Sequence, residues 1–293
     1  MPTRQLQMFG GDWTEQKLKM LQDYLQAYTT ALRNQPFRKI YIDAFAGTGY
    51  RELLSSDLGF LADLASPEPQ AFLAGSAARA LAVEPYFDQY VFIERKRVHF
   101  AELKAQLKEQ FPSLTERMKF INDDCNTVLK DICHGWSSSD KAVLFLDPFG
   151  MQVKWSTLQA IAATKCIDVW VLVPLAGMNR LLKRDGIIPP GWQDRLTKFF
   201  GTEEWFPAFY EVLSEPTLFG QEPSVQKTGS LASIADFCCR RLRAVFPAVA
   251  GNPKALYNSR RSPLFLLCFA VSSPNPAAKR LAMRIANHIL GKS

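Results

Sequence analysis

Apolar positions along this chain follow two rhythms. Behind Thr14, residues Leu18, Leu21, Leu25, Tyr28 and Leu32 recur at helical spacing, and Asn34-Gln35-Pro36 ends that helix after about Arg33. Trp13 and Lys17 read as part of the same packed face, with an approach to the ligand mouth as the alternative. Short apolar runs then predict strands at Ile40–Ile42, Tyr90–Glu94, Met118–Ile121, Lys141–Leu146 and Ile167–Val173. Helical patterns over about 75–81, 98–110, 126–134 and 156–164 lie between them. Such alternation predicts an α/β, doubly wound, mostly parallel sheet with helices on both faces. Lys141–Leu146 is apolar nearly throughout, which places it centrally.

Two segments interrupt the rhythm. Tyr50–Ala74 reads as a loop insertion, a flap beside a ligand site. Residues 176–246 read as a helical insertion rich in bulky aromatics, among them Trp192, Phe199, Phe200, Trp205 and Phe206. Both belong to one domain spanning the whole chain. Ala255–Asn258 and Pro263–Val271 read as two further strands joined by Ser259-Arg260-Arg261-Ser262, before a last helix over about Pro276–Leu290.

Composition narrows the class without naming a function. The 293 residues are 47% apolar and 22% charged, ordinary for a globular protein with a sizeable core. A net charge of +7 is compatible with an anionic partner such as nucleic acid. The six cysteines form no C-x-x-C pair and read as reduced thiols of a cytoplasmic protein. Cys125, Cys133, His134 and Cys166 match no usual zinc spacing, so no metal is expected. Met1–Gly11 lacks the apolar core of a signal peptide, and no apolar run is long enough to span a bilayer, so no membrane is expected.

The chemistry gathers at the predicted strand ends. Asp43 closes the first strand and leads into Phe45-Ala46-Gly47-Thr48-Gly49, where glycines permit a sharp turn and close approach of a ligand. Glu94, followed by Arg95, closes the second strand, placed to accept from both hydroxyls of a ribose. Asp124, Cys125 and Asn126 follow the third, in reach of an adenine amino group. A dinucleotide site opens its helix inside G-x-G-x-x-G to hold a pyrophosphate, whereas here the next sure helix begins near Gly75. S-adenosylmethionine carries no phosphate and needs no such cradle, and it is the cofactor these residues favour.

Asp147-Pro148-Phe149-Gly150 closes the fourth strand and supplies the candidate catalytic group. Its carboxylate and backbone carbonyl could accept two hydrogen bonds from an exocyclic amine, orienting the nitrogen lone pair. Phe149 could stack on a planar base. Downstream, Arg180, Lys183 and Arg184 are candidate substrate contacts. Arg195, Lys198, Arg240, Arg241, Arg243, Arg260 and Arg261 extend a candidate phosphate track.

D-x-F-A-G-x-G followed by D-P-F-G resembles the class I methyltransferases that act on amino groups of nucleic-acid bases, whose fourth motif is usually D/N-P-P-Y/F. Phe149 and Gly150 depart from that pattern. Over nearly the whole chain the sequence also resembles the three-Cys-motif partner protein family, TcmP. The matching stretches are Thr14–Leu25, YIDAFAGTG at Tyr41–Gly49, GSAARAL at Gly75–Leu81, FIE at Phe92–Glu94, LFLDPFGMQVKW at Leu144–Trp155 and PLAGMNRLL at Pro174–Leu182. The resemblance implies a Rossmann-like class I methyltransferase fold. It also implies a partner protein bearing a three-cysteine iron–sulfur motif like that of radical S-adenosylmethionine enzymes. Two functions stay open: methyl transfer to nucleic acid, or a non-catalytic subunit that binds a nucleotide, nucleic acid or the iron–sulfur partner.

Overall fold

Successive parallel strands put their carboxyl ends on one side of a sheet, so strand order decides which ends become neighbours. The computed structural model describes residues 12–47, 75–217, 220–258 and 260–292. The flap expected at Tyr50–Ala74, together with Thr48 and Gly49, lies outside the described residues.

Helix α1 (Asp12–Ala31) precedes β1 (Arg38–Asp43), α2 (Gly75–Leu81), β2 (Gln89–Ile93) and α3 (Arg97–Gln110). A 3-10 turn over Pro112–Arg117 leads to β3 (Met118–Ile121), α4 (Cys125–His134), β4 (Asp140–Leu146), α5 (Trp155–Ala163) and β5 (Ile167–Val173). The sheet runs β3-β2-β1-β4-β5 in parallel. Beyond β5 it continues antiparallel with β10 (Pro263–Val271), which pairs both β8 (Ala248–Val249) and β9 (Lys254–Tyr257). This mixed sheet, five parallel strands with an antiparallel strand beside β5, is a doubly wound, Rossmann-like α/β arrangement. Its order reverses between β1 and β4, and the crevice opens there.

Each face of the sheet buries its own core because side chains alternate along a strand. Ile40 and Ile42 face one way, under α4, α5 and the segment after β5. Tyr41, Tyr90 and Phe92 face the other, under α1, α2, α3 and the last helix, α10 (Pro276–Leu290). Some helix starts follow capping chemistry. Asp124 caps α4 by accepting from the Asn126 and Thr127 amides, and Asn275 caps α10 ahead of Pro276.

The segment over 176–246 is not helical throughout. It comprises α6 (Leu175–Leu181), α7 (Pro190–Phe200), α8 (Trp205–Phe209), the antiparallel pair β6 (Tyr210–Thr217) and β7 (Gly220–Lys227), and α9 (Leu231–Arg243). Pro216 and Pro223 explain the hairpin, since a proline inside a helix removes a donor and clashes with the preceding turn. Among the described residues no helix is long and apolar enough to cross a membrane, and no group of three side chains is arranged to hold a metal ion.

Helix α1 does more than cover the sheet. Its Lys17 reaches the end of β4, and its Tyr24 hydroxyl lies 3.3 Å from Asp168 on β5. Burial pushes the Asp168 carboxyl up to about 7, against the hydrogen bond from Tyr24 and the charge of Lys141.

Candidate functional site

Asp43 is fully buried at the end of β1. Its oxygens take the Phe45 amide and the Tyr41 hydroxyl, each at 3.3 Å, and Ser76 at the start of α2 adds a third hydrogen bond. The carboxylate therefore shapes the turn rather than opening onto solvent. Burial raises it to about 6, opposed by those three donors and reinforced by the nearby charge of Asp147. Ala46 continues the turn, its amide donating to the Ile93 carbonyl at 3.0 Å, which ties β1's exit to β2.

Glu94 stands across that turn. It is 8% exposed, and its Oε1 accepts from the Lys96 amide at 2.6 Å. Its other oxygen lies against Gly47, so closely that a Cβ at position 47 would overlap the carboxylate and stand 2.6 Å from Cγ. A larger residue there would have to displace the Glu94 side chain. Asn122, at the end of β3, donates to the Glu94 carbonyl at 2.7 Å and the Arg95 carbonyl at 2.9 Å. Arg95 itself is exposed.

After β3 the expected contacts divide by role. One oxygen of Asp124 is spent on capping α4, at 3.0 and 3.4 Å from the Asn126 and Thr127 amides. Cys125 is buried, and burial pushes its thiol up to about 12, so it stays protonated. The Asn126 side chain turns away from the predicted adenine contact. Its Nδ2 donates to the Gln152 carbonyl, and its Oδ1 accepts from the Lys154 amide at 2.8 Å and the Thr157 hydroxyl at 2.9 Å. It fastens the loop after β4 to α4, because a buried amide must satisfy its donors and acceptor somewhere.

Asp147 leaves β4 across the switch point from Asp43. Its Oδ2 accepts from Lys17 Nζ at 2.6 Å, and the two side chains are 23% and 7% exposed. Lys17 also lies over the Trp13 ring, 4.7 Å from the centroid, and Trp13 stacks on Phe265 at 4.9 Å. Pro148 is buried and Phe149 half-buried. Gly150 has φ of +70°, a left-handed conformation that an aromatic residue adopts only under strain, which accounts for glycine where the related motif carries a ring.

The basic track does not hold together as one surface. Lys183 lies 5.8 Å over the Trp192 ring, on the side of the fold where β5 ends. Near it, Lys227 donates to the Asn179 carbonyl and Oδ1, and burial together with Arg184 lowers its pKa. By contrast, Arg241 stacks over Trp155 at 4.8 Å and donates to the Phe200 carbonyl at 2.9 Å. Arg240 lies over Phe237, and Lys198 pairs with Asp194 on its own helix. These three serve packing and local pairing on α9 and α7, and they leave the track.

For Lys17 the sequence favoured a packed face over an approach to the ligand mouth, and the structure gives it both, a buried stem and a terminal charge on Asp147. Ser76 and Asn122 were missed. Nothing in their local pattern distinguishes them from ordinary polar residues beside a turn.

No family model matches the chain, and no curated protein matches it. Among solved structures the chain is similar to a spermidine synthase from Thermotoga maritima, at 11% identity over 92% of this chain and 62% of that one, with a TM-score of 0.40. It therefore spans less than two thirds of that synthase. It is also similar to protein LPL1258 from Legionella pneumophila, at 10% identity over 93% and 92% of the two chains and a TM-score of 0.43. The methyltransferase domain of a bacterial CtHen1 matches at 10% identity over 89% and 100%, with a TM-score of 0.40. At this similarity no residue role passes from those proteins to this chain.

Proposed function

We propose that this chain binds S-adenosylmethionine at the β1–β2 end of the crevice and transfers its methyl group to an amino group of a nucleic-acid base. One observation carries the reading: the Glu94 carboxylate fills the space that the missing side chain of Gly47 leaves, at the β1–β2 strand ends next to the strand-order reversal. A glycine turn with an acid directly across it offers close backbone approach and a ribose-accepting carboxylate within one small cradle. The cofactor would be held by Phe45, Ala46 and Gly47 on the turn that Asp43 braces, by Thr48 and Gly49 that follow in sequence, by Glu94 with Arg95, and by Asp124 and Cys125 at the adenine end. Bound there, it supplies an electrophilic methyl group on a sulfonium.

The chain's own residues then orient the acceptor. Asp147 keeps one oxygen on Lys17, so its other oxygen and the Pro148 carbonyl are left to accept the two N–H bonds of an amine. That arrangement points the lone pair and needs no proton abstraction before transfer. Phe149, half-buried at the mouth, offers a stacking face for a base. Arg180, Lys183 and Arg184, just beyond β5, would contact phosphate.

A second reading keeps the cradle and drops catalysis. It is favoured by Lys17 holding Asp147 and by the D-P-F-G departure. The chain would then be the non-catalytic subunit of an iron–sulfur partner, as its likeness to the three-Cys-motif partner proteins implies.

Calorimetry with S-adenosylmethionine tests the cradle: binding by the wild type and its loss in Glu94→Ala are expected, and equal binding by both would remove the cofactor assignment. Labelled methyl transfer to cellular RNA and DNA, compared with Asp147→Ala, separates enzyme from subunit. Incorporation that survives the substitution removes the role given to Asp147.

A further inference from the structure

Between β9 and β10, two adjacent arginines are held by hydrogen bonds to Asn258 and between the flanking strand ends. Asn258 Oδ1 accepts from the amides of Arg260 at 3.0 Å and Ser262 at 2.9 Å, and the Asn258 and Arg261 amides close the turn onto the Ser262 and Asn258 carbonyls. Arg261 sits at φ of +57°, a conformation that glycine would adopt without cost. Arg260 and Arg261 are both exposed, and neither forms an ion pair among the described residues. Tyr257, the last residue of β9, is 51% exposed. Two unpaired cations on a strained, braced tip repel each other and contribute little to folding, so the arrangement suits an anion outside the chain.

Topology sets where that tip lies. β10 runs antiparallel to β5, with Leu266 opposite Val173, so the turn before Pro263 projects from the same side of the sheet as the carboxyl ends of β1, β4 and β5. Its root is coupled to the candidate catalytic residue through a short relay. Phe265 stacks on Trp13, Trp13 lies under Lys17, and Lys17 is bonded to Asp147.

We propose that this turn is a prong that grips the phosphodiester backbone of a nucleic acid, and that Phe265, Trp13 and Lys17 relay its position to Asp147. The inference deepens the function proposed above, and rests on it only in taking the substrate to be a nucleic acid. A braced tip loses little conformational freedom on binding, and exposed guanidinium groups match phosphate geometry.

Fluorescence anisotropy of labelled 20-nucleotide single strands, one RNA and one DNA of the same sequence, tests this between 50 and 200 mM salt. The full-length double variant Arg260→Gln/Arg261→Gly removes both charges and keeps a residue suited to φ of +57°. Its expected affinity at low salt is about tenfold weaker, and the slope of log K against log salt is shallower by about 1.4, on the scale of about 0.7 per phosphate contact for single strands. An unchanged thermal midpoint confirms that the fold is kept. The relative loss for RNA and DNA then identifies which polymer the prong reads. Unchanged affinity and slope in this variant, with loss on neutralising Arg180, Lys183 and Arg184, overturns the prong and leaves the proposed function standing. Equal, arginine-dependent binding of polyglutamate also overturns it as a nucleic-acid contact. Binding that depends on the prong in a chain that transfers no methyl group removes the activity and keeps the prong.

Discussion

Lys17 and Asp147, separated by 130 positions in the chain, share a 2.6 Å ion pair at the switch point of the sheet. The lysine is nearly enclosed and the carboxylate partly open, so the pair is fixed on one side and accessible on the other.

Removing only the cation should therefore be costly. Lys17→Met leaves a partly buried carboxylate uncompensated, and urea unfolding is expected to show a loss of about 3 kcal/mol, the low end for broken buried pairs because Asp147 reaches solvent. Lys17→Arg should recover part of it. In the double variant Lys17→Met/Asp147→Asn the loss should be smaller than the sum of the two single losses. Simple additivity would show that the pair does not act as a unit.

Gly47→Ala is expected to act through Glu94. The new methyl would occupy the space of the carboxylate, and moving Glu94 removes its hydrogen bond with the Lys96 amide. Affinity for S-adenosylmethionine should fall at least about tenfold, the effect of losing roughly one charged hydrogen bond. Calorimetry reads this directly, and an affinity equal to the wild type would mean that Glu94 is not a ribose contact.

Stability should fall as pH rises from about 4 to about 7. Asp43 lies near 6 and Asp168 near 7 in the folded chain, both above the ordinary value of 3.8. In that window the folded chain binds more protons than the unfolded one, so unfolding free energy decreases with pH. Asp43 alone contributes a change of about 3 kcal/mol, at about 1.4 kcal/mol per pH unit of displacement. Urea titrations at pH 4.5, 6 and 7.5 should show a shallower dependence in Asp43→Asn, and an identical dependence would remove this origin.

Asn126→Ala should destabilise without altering the cradle. Three partners, the Gln152 carbonyl, the Lys154 amide and the buried Thr157 hydroxyl, would lose their bonds. A loss of about 2 kcal/mol is expected by denaturant unfolding. Cofactor affinity should change far less than in Glu94→Ala. A comparable fall in both would return Asn126 to the adenine end of the site.

Much of the sheet was legible in order of residues. β3, β5 and α10 occupy the expected spans, and β1, β2 and β4 differ at their ends by a residue or two, because buried parallel strands are short apolar runs bounded by turns and acids. The hairpin over 210–227 was not anticipated, although Pro216 and Pro223 mark that stretch as unsuited to helix. Roles within the candidate site were only half legible. Asp43, Glu94 and Asp147 do stand at neighbouring strand ends, but Asp43 is enclosed, Asp124 is half committed to a cap, and Asn126 is wholly committed to a loop.

The sequence by itself determined the alternating elements, the acids that end them and the glycine turn, because strand and helix periodicity and turn chemistry are local properties of the chain. Tertiary structure alone decided that Lys17 meets Asp147, that Glu94 lies against Gly47 and that the arginine-bearing turn faces the same side as both. Each depends on strand order and helix docking, which bring distant residues together through burial and charge and leave no periodic trace in the order of residues.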